Sequence, residues 1–282
     1  MPRTKTRIKT GESELKNIQN PYLPQAAKIT LFKRESPDCF LIRLALKSRY
    51  EPGQFFQVTL PGIGEAPISV ASYSEDFLDL NIREVGNVTK SLAKLKKGDF
   101  VYVRGPYGKG YPMENLFGKN LIIIGGGSGV APLKGILAYV DKHRDDYGDV
   151  SIYFGFRTPD DILFREDMKQ WKKNYQLNMS VDKNPKKQQI SYEVCFVTSL
   201  VEKAKLTPEN KAVFICGPPI MMKITVDILK NKGFKEDQIY ISTERLMSCA
   251  LGICGHCMIH GKYTCLDGPV FRYDEISMYK ND

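Results

Sequence analysis

The chain has 282 residues, 42% of them hydrophobic, and carries 41 Lys and Arg against 32 Asp and Glu for a formal charge of +9. That length and apolar content suit two core-bearing domains plus an appendage and exclude a disordered chain. The positive balance leaves room for an acidic protein partner, but no arginine–aromatic block points to nucleic acid, and no stretch approaches the roughly 20 apolar residues of a membrane span.

Residues 1–20 are basic and polar, lack the apolar centre of a signal peptide, and read as an arm; the expected compartment is the cytoplasm. Over 21–112 the runs Cys39–Leu46, Gln54–Leu60, Phe77–Val85 and Asp99–Tyr107 alternate apolar and polar residues. They are divided by Pro52-Gly53, Pro61-Gly62 and Lys97-Gly98-Asp99. Short, evenly spaced strands with turn chemistry between them predict a small antiparallel barrel. Inside it, Gly64–Ser72 reads as a strand entered through a turn. Glu84–Leu92 reads as a helix start in which Gly86 frees the backbone and Thr89 can cap.

After Pro112 the rhythm changes. Apolar runs at Leu121–Gly127, Val150–Phe156, Leu177–Val181, Ala212–Gly217 and Gln238–Thr243 alternate with helix-length segments such as Pro132–Asp146 and Pro219–Gly233. Strands alternating with helices predict a doubly wound parallel sheet over 113–244. The first run ends in Gly125, Gly126, Gly127, Ser128 and Gly129, and Pro132 suits the first turn of the helix that follows. Such a loop bares N–H groups beside a positive helix end, an anion site for a pyrophosphate. The alternative is a merely tight turn, since the third glycine of G-x-G-x-x-G would fall at Val130. The next strand carries no carboxylate at its tip for a ribose hydroxyl. Arg157 stands there, a receiver for a 2′-phosphate or a surface residue, which leaves NADH against NADPH open. "CGPPIMM" puts Cys216 and Gly217 at the carboxyl edge of the sheet, where ligands bind in this architecture.

The segment 245–282 holds Cys249, Cys254, Cys257 and Cys265 in the order Cys-x4-Cys-x2-Cys-x7-Cys. This is the plant-type spacing of a [2Fe–2S] cluster. Ala250, Gly252 and Gly255 allow backbone N–H groups to approach the sulfurs. A structural zinc site is the alternative, but it usually draws on paired Cys-x2-Cys knuckles and only one is present. Cys39 and Cys195 lie in apolar runs and are expected in the core.

A nicotinamide gives up two electrons as hydride, whereas a [2Fe–2S] cluster accepts one, so a flavin is needed between them and the barrel is the place for it. The barrel together with "IREVGNVT", "GGGSGVAPL" and "CGPPIMM" resembles the ferredoxin–NADP reductase superfamily from about Tyr22 to Glu244. The tail "CALGICGHCMIHGKYTCLDGPVFRYDEI" resembles electron-transfer subunits: those of dihydroorotate dehydrogenase, the gamma subunits of sulfhydrogenases, and the B subunit of anaerobic sulfite reductase. "DDILFREDMKQW" with "GPPIMM" leans toward the last.

The resemblance implies that Ala66, Pro67, Ile68 and Ser69 line the isoalloxazine of FAD, with the Ser69 hydroxyl near its reactive nitrogen. Asn81, Ile82 and Arg83 would approach its ribityl or phosphate groups, and Gly86, Val88 and Thr89 its pyrophosphate. Gly126, Gly127, Ser128 and Gly129 would meet the nicotinamide dinucleotide, with Cys216 beside the ring, so that Ser69 and Cys216 are the expected catalytic pair. The superfamily's Arg-x-Tyr-Ser reads Ala66-Pro67-Ile68-Ser69 here, and Arg83 can supply the missing charge. The implied path runs from NAD(P)H through FAD and the cluster to other iron–sulfur subunits of a larger reductase, sulfite reductase subunits A and C by resemblance. A zinc-stabilised nucleotide-sensing module is the rival from another class; iron and flavin content separates the two.

Overall fold

The computed structural model describes residues 20–276. Six antiparallel strands come first: β1 (Gln25–Arg34), β2 (Cys39–Ala45), β3 (Phe55–Leu60), β4 (Gly64–Ser69), β5 (Phe77–Arg83) and β6 (Phe100–Tyr107). Their spatial order is β4-β3-β6-β1-β2-β5, and a bridge between Val70 and Leu80 joins the two edges into a Greek-key barrel. Alternation fills it. Ile29, Phe40, Ile42, Phe56, Val58, Leu78, Leu80, Ile82, Val101 and Val103 point inward to one core. Each of these residues contributes roughly 1.5–3 kcal/mol over leaving it exposed. β1 is not legible in the sequence because its pairing slips between Ile29 and Leu31, a bulge that breaks the two-residue period. The short helix α1 (Asn87–Leu92) follows β5.

The second unit strings together β7 (Asn120–Gly126), α2 (Val130–Lys142), β8 (Val150–Phe156), α3 (Arg165–Asn174), β9 (Gln176–Val181), β10 (Glu193–Val194), α4 (Val197–Lys203), β11 (Lys211–Cys216), α5 (Pro219–Asn231) and β12 (Ile239–Ser242). The sheet order is β10-β9-β8-β7-β11-β12, every pair parallel. Two cores sandwich it. One collects Val130, Leu133, Ile136 and Leu137 of α2 with Met168 and Trp171 of α3, and the other Val197 and Leu200 of α4 with Met222, Val226 and Leu229 of α5. In α3 only Met168 and Trp171 are buried, so its sequence shows little apolar stripe. Cys39 is in the core as expected; Cys195 is only half-buried and lies in the turn before α4, outside any strand.

The tail does not stand apart. After a two-strand hairpin, β13 (Met258–Ile259) and β14 (Lys262–Tyr263), the chain returns β15 (Val270–Arg272) to the sheet, antiparallel to β12. Among the described residues no helix is long and apolar enough to cross a membrane.

Candidate functional site

The strand order turns back between β7 and β11. From β7 it runs outward through β8, β9 and β10, then jumps to β11 on the other side. At such a switch point the loops leave in opposite directions and open a crevice at the carboxyl ends of the strands. The glycine turn follows β7 and the Cys216–Gly217 turn follows β11, and Gly125 pairs with Cys216 in register. A Cβ on Gly129 would sit 2.6 Å from the carbonyl carbon and oxygen of Cys216, so only glycine lets the two turns meet. Gly127 and Ser128 remain half-exposed at the crevice, and their turn runs straight into α2, with the backbone N–H at Val130 bonded back to the carbonyls of Gly127 and Ser128, so that turn and helix together present a positive end there. Cys216 is 2% exposed, and burial pushes its thiol well above the usual range, so it is a neutral wall residue there.

The barrel supplies the other side. The end of β5 touches the Gly127–Gly129 turn, and Gly135 of α2 packs over the backbone of Val70 and Ser72, just past β4. Ala66, Pro67, Ile68 and Ser69 are all half-buried along edge strand β4. On β5, Asn81 is buried with both carboxamide atoms lacking a partner, which fits a polar ligand laid across this edge. Ile82 is wholly inside the barrel core, so its side chain does not face the crevice. Val88 also packs on that core, and Thr89 spends its hydroxyl locally, accepting from the N–H of Val85 and of Gly86 at 3.0 Å and thereby fixing the Gly86 turn.

Arg83 and Arg157 are not free. Arg83 donates to Asp38 at 2.8 Å, and Arg157 donates to the same carboxylate at 3.2 Å and to Asp161 at 3.1 Å. Burial alone would raise the Asp38 carboxyl, but the Arg83 guanidinium and Ser36 hydroxyl outweigh it and hold it below the usual range. Asp38, in the β1–β2 turn, thus brings a carboxylate from the barrel to Arg157 at the tip of β8.

Cys257 and Cys265 are buried against Phe55 of the barrel, while Cys249 is half-buried and Cys254 exposed on the same loop. The sulfurs of Cys257 and Cys265 are 3.3 Å apart. The Cys249 sulfur accepts from the N–H groups of Leu251 (3.3 Å), Ile253 (3.4 Å) and Cys254 (3.4 Å), and the Cys265 sulfur from Gly252 at 3.2 Å. Backbone hydrogen bonds at Cys249 and then His256 hold the exposed Cys254 down at about 7, while burial pushes Cys265 up. Among the described residues no three His, Cys, Asp or Glu side chains converge on one point. One close thiol pair, with backbone N–H donors aimed at the sulfurs of Cys249 and Cys265, fits a two-iron cluster, which takes its ligands two to an iron. Gly252 and Gly255 take φ of 71° and 78°, as the loop's bends require.

Residues 123–227 match the oxidoreductase NAD-binding domain, and residues 244–277 match the iron–sulfur cluster binding domain of dihydroorotate dehydrogenase B. The chain is 37% identical to sulfhydrogenase 1 subunit gamma of Pyrococcus furiosus over 90% of its own length and 88% of that protein's. It is 31% identical to a probable dihydroorotate dehydrogenase B (NAD(+)) electron transfer subunit of the same organism, over 81% and 82%. The chain belongs to this family of electron-transfer subunits. It is an oxidoreductase of ferredoxin-reductase-like fold. The structure of an NADH-dependent reduced ferredoxin–NADP oxidoreductase, studied for flavin-based electron bifurcation, superposes with a TM-score of 0.74 at 25% identity, covering 90% of each protein. A ferredoxin NADP+ reductase from Neisseria gonorrhoeae with bound FAD and NADP shares the fold at a TM-score of 0.67, over 77% of this chain and 97% of that one.

Three side chains in this member of the family carry no signal in the sequence. Asp38 is one. Phe55 of β3 lies opposite Ser69 of β4 and forms one apolar cluster with Ala250, Cys257 and Cys265. Arg104 of β6 reaches the backbone carbonyls of Ser248 and Cys249. Each acts on partners distant in sequence, and only the barrel's pairing reveals it.

Proposed function

We propose that the chain binds NAD(P)H at the two switch-point turns, FAD along β4 and the end of β5, and a [2Fe–2S] cluster on Cys249, Cys254, Cys257 and Cys265, and relays electrons to a partner subunit. The nucleotide supplies hydride, the flavin divides it into single electrons, and the cluster passes these on one at a time. The observation that carries this reading is the β3–β4 register: Ser69 lies directly across from Phe55, whose apolar cluster includes Cys257 and Cys265. One strand spacing therefore separates the flavin strand from the residue that packs on the cysteines. Ser69 offers a hydroxyl at the flavin, Cys216 a neutral wall at the nicotinamide, and Gly126–Gly129 and Gly217 the close backbone approach. Arg83 and Gly86 border the phosphate end. Iron, sulfide and flavin analysis of anaerobically purified protein tests it: about two irons and two sulfides per chain and extractable FAD are expected, and stoichiometric zinc with no flavin overturns it.

NADH is the expected donor. Arg157 is neutralised by Asp38 and Asp161, and those carboxylates repel a 2′-phosphate while one of them can accept from a ribose hydroxyl. Flavin reduction should show a lower KM for NADH than for NADPH, and Asp161→Ala, by removing one of the two carboxylates on Arg157, should narrow the gap. Equal KM values in the unaltered protein would refute the assignment.

For the partner, the 37% identity to a sulfhydrogenase gamma subunit and 31% to a dihydroorotate dehydrogenase electron transfer subunit support a catalytic subunit of either kind at least as well as sulfite reductase subunits A and C. The subunits that co-purify anaerobically with the chain decide among them.

A further inference from the structure

The cysteine loop is anchored unequally. On the Cys265 side it is held by backbone pairing: the N–H of Lys109 donates to Gly268, and β15 joins the sheet. On the Cys249 side residues 243–257 form neither helix nor strand. There Ala250 is held at a φ of 62°, a left-handed conformation that an alanine adopts only under constraint.

On that side Ala250 packs in the cluster with Phe55, and Arg104 holds the two carbonyls just before it. Its Nη1 donates to the carbonyl of Cys249 at 2.7 Å, and its Nη2 to that of Ser248 at 3.3 Å. The same guanidinium forms a two-pronged pair with Glu65 of β4, Nε to Oε1 at 2.6 Å and Nη2 to Oε2 at 3.0 Å, and Nη1 also meets the Tyr107 hydroxyl at 3.1 Å. Arg104 is 7% exposed. A buried arginine must be fully paired, and this one spends its rigid fork on two elements at once: the flavin strand, one residue before Ala66, and the peptide between the first cysteine and the strained alanine.

We propose that Arg104, braced by Glu65, is the positioning residue that clamps the Cys249 side of the loop onto strand β4 and so fixes the cluster's placement relative to the flavin. The proposal rests on the functional reading above. Lysine is no substitute, because a point charge cannot hold a carboxylate through two parallel bonds while donating to two carbonyls.

The test uses the full chain with Arg104→Gln and Glu65→Gln. In the protein without metal, hydrogen–deuterium exchange of the amides at 249–254 should accelerate by about tenfold or more in Arg104→Gln, and by less in Glu65→Gln, while β8 and β11 exchange unchanged. In the reconstituted protein, stopped-flow reduction of the flavin by NADH should keep its rate, and bleaching of the cluster should slow in the same order of variants. Exchange and bleaching that match the unaltered protein in both variants would overturn the clamp. Should Arg104→Gln fail to fold, Glu65→Gln decides by the same two readings. Absence of iron or flavin from the unaltered chain would instead sink the functional reading and leave the exchange result to judge the clamp by itself.

Discussion

Cys257→Ser is expected to abolish delivery of electrons to the partner while leaving their entry intact. An alkoxide is a poorer ligand for iron than a thiolate. Cys257 is buried and sits 3.3 Å from its companion Cys265, so no solvent ligand replaces it readily. Loss of a direct ligand should exceed the roughly 10- to 100-fold cost in metal affinity usual for outer partners, so partner reduction should drop by a factor on the order of a hundred or more. The nucleotide turns and the β4–β5 edge lie upstream of Glu244 and do not use that sulfur. Stopped-flow reduction of the flavin by NADH should therefore proceed at the unaltered rate, with reduced iron content. Undiminished partner reduction in a reconstituted complex would mean that electrons leave by another route.

Gly129→Ala should be the most damaging single methyl group in the nucleotide crevice. The new Cβ would stand 2.6 Å from the carbonyl carbon and oxygen of Cys216 and 2.7 Å from the Cα of Gly217. These are backbone atoms of a strand end whose neighbours on both sides are hydrogen-bonded, so they cannot swing aside as a side chain does. Relief requires α2 and the end of β11 to part, which costs about 1–3 kcal/mol and opens the turn that would grip the dinucleotide. A lower Tm and a KM for NADH raised at least about tenfold are expected, since each ~1.4 kcal/mol is a factor of ten. Gly127→Ala is the contrast. At φ 56° it suffers left-handed strain of about 1–2 kcal/mol, but its Cβ meets nothing within 4 Å, so Tm should fall without a comparable rise in KM. Equal KM changes in the two variants would show that the loop's own conformation, and not its contact with the Cys216 turn, governs binding.

The limits of the sequence reading follow from the range of the forces involved. Period-two alternation and Gly/Pro punctuation are local, so β2, β3, β5 and β6 stand out, as do β7, β8 and β11 by their unbroken apolar runs. β1 is blurred by its bulge, and α3 by having only Met168 and Trp171 to bury. Ile82 reads as one of three consecutive cofactor neighbours, but in a strand successive side chains face opposite ways, and the barrel pairing turns Ile82 inward while Asn81 and Arg83 face out. Arg157 reads as available for a phosphate because Asp38, more than a hundred residues earlier, leaves no local trace of its pairing with it.

What the sequence determined by itself is the chemistry available: four thiols at the spacing of a two-iron cluster, a glycine turn leading into a helix, and a strand–helix alternation that winds only one way. Those features depend on residues within a few positions of one another. What tertiary structure decided is how the pieces are wired. The strand order brings the Gly129 and Cys216 turns together at a switch point. The β3–β4 register sets Ser69 opposite Phe55 and hence near the cysteines, and β6 aims Arg104 at the loop that carries Cys249. Such contacts arise when distant segments share one buried face, and burial is a property of the whole packed protein, so no local stretch of sequence encodes them.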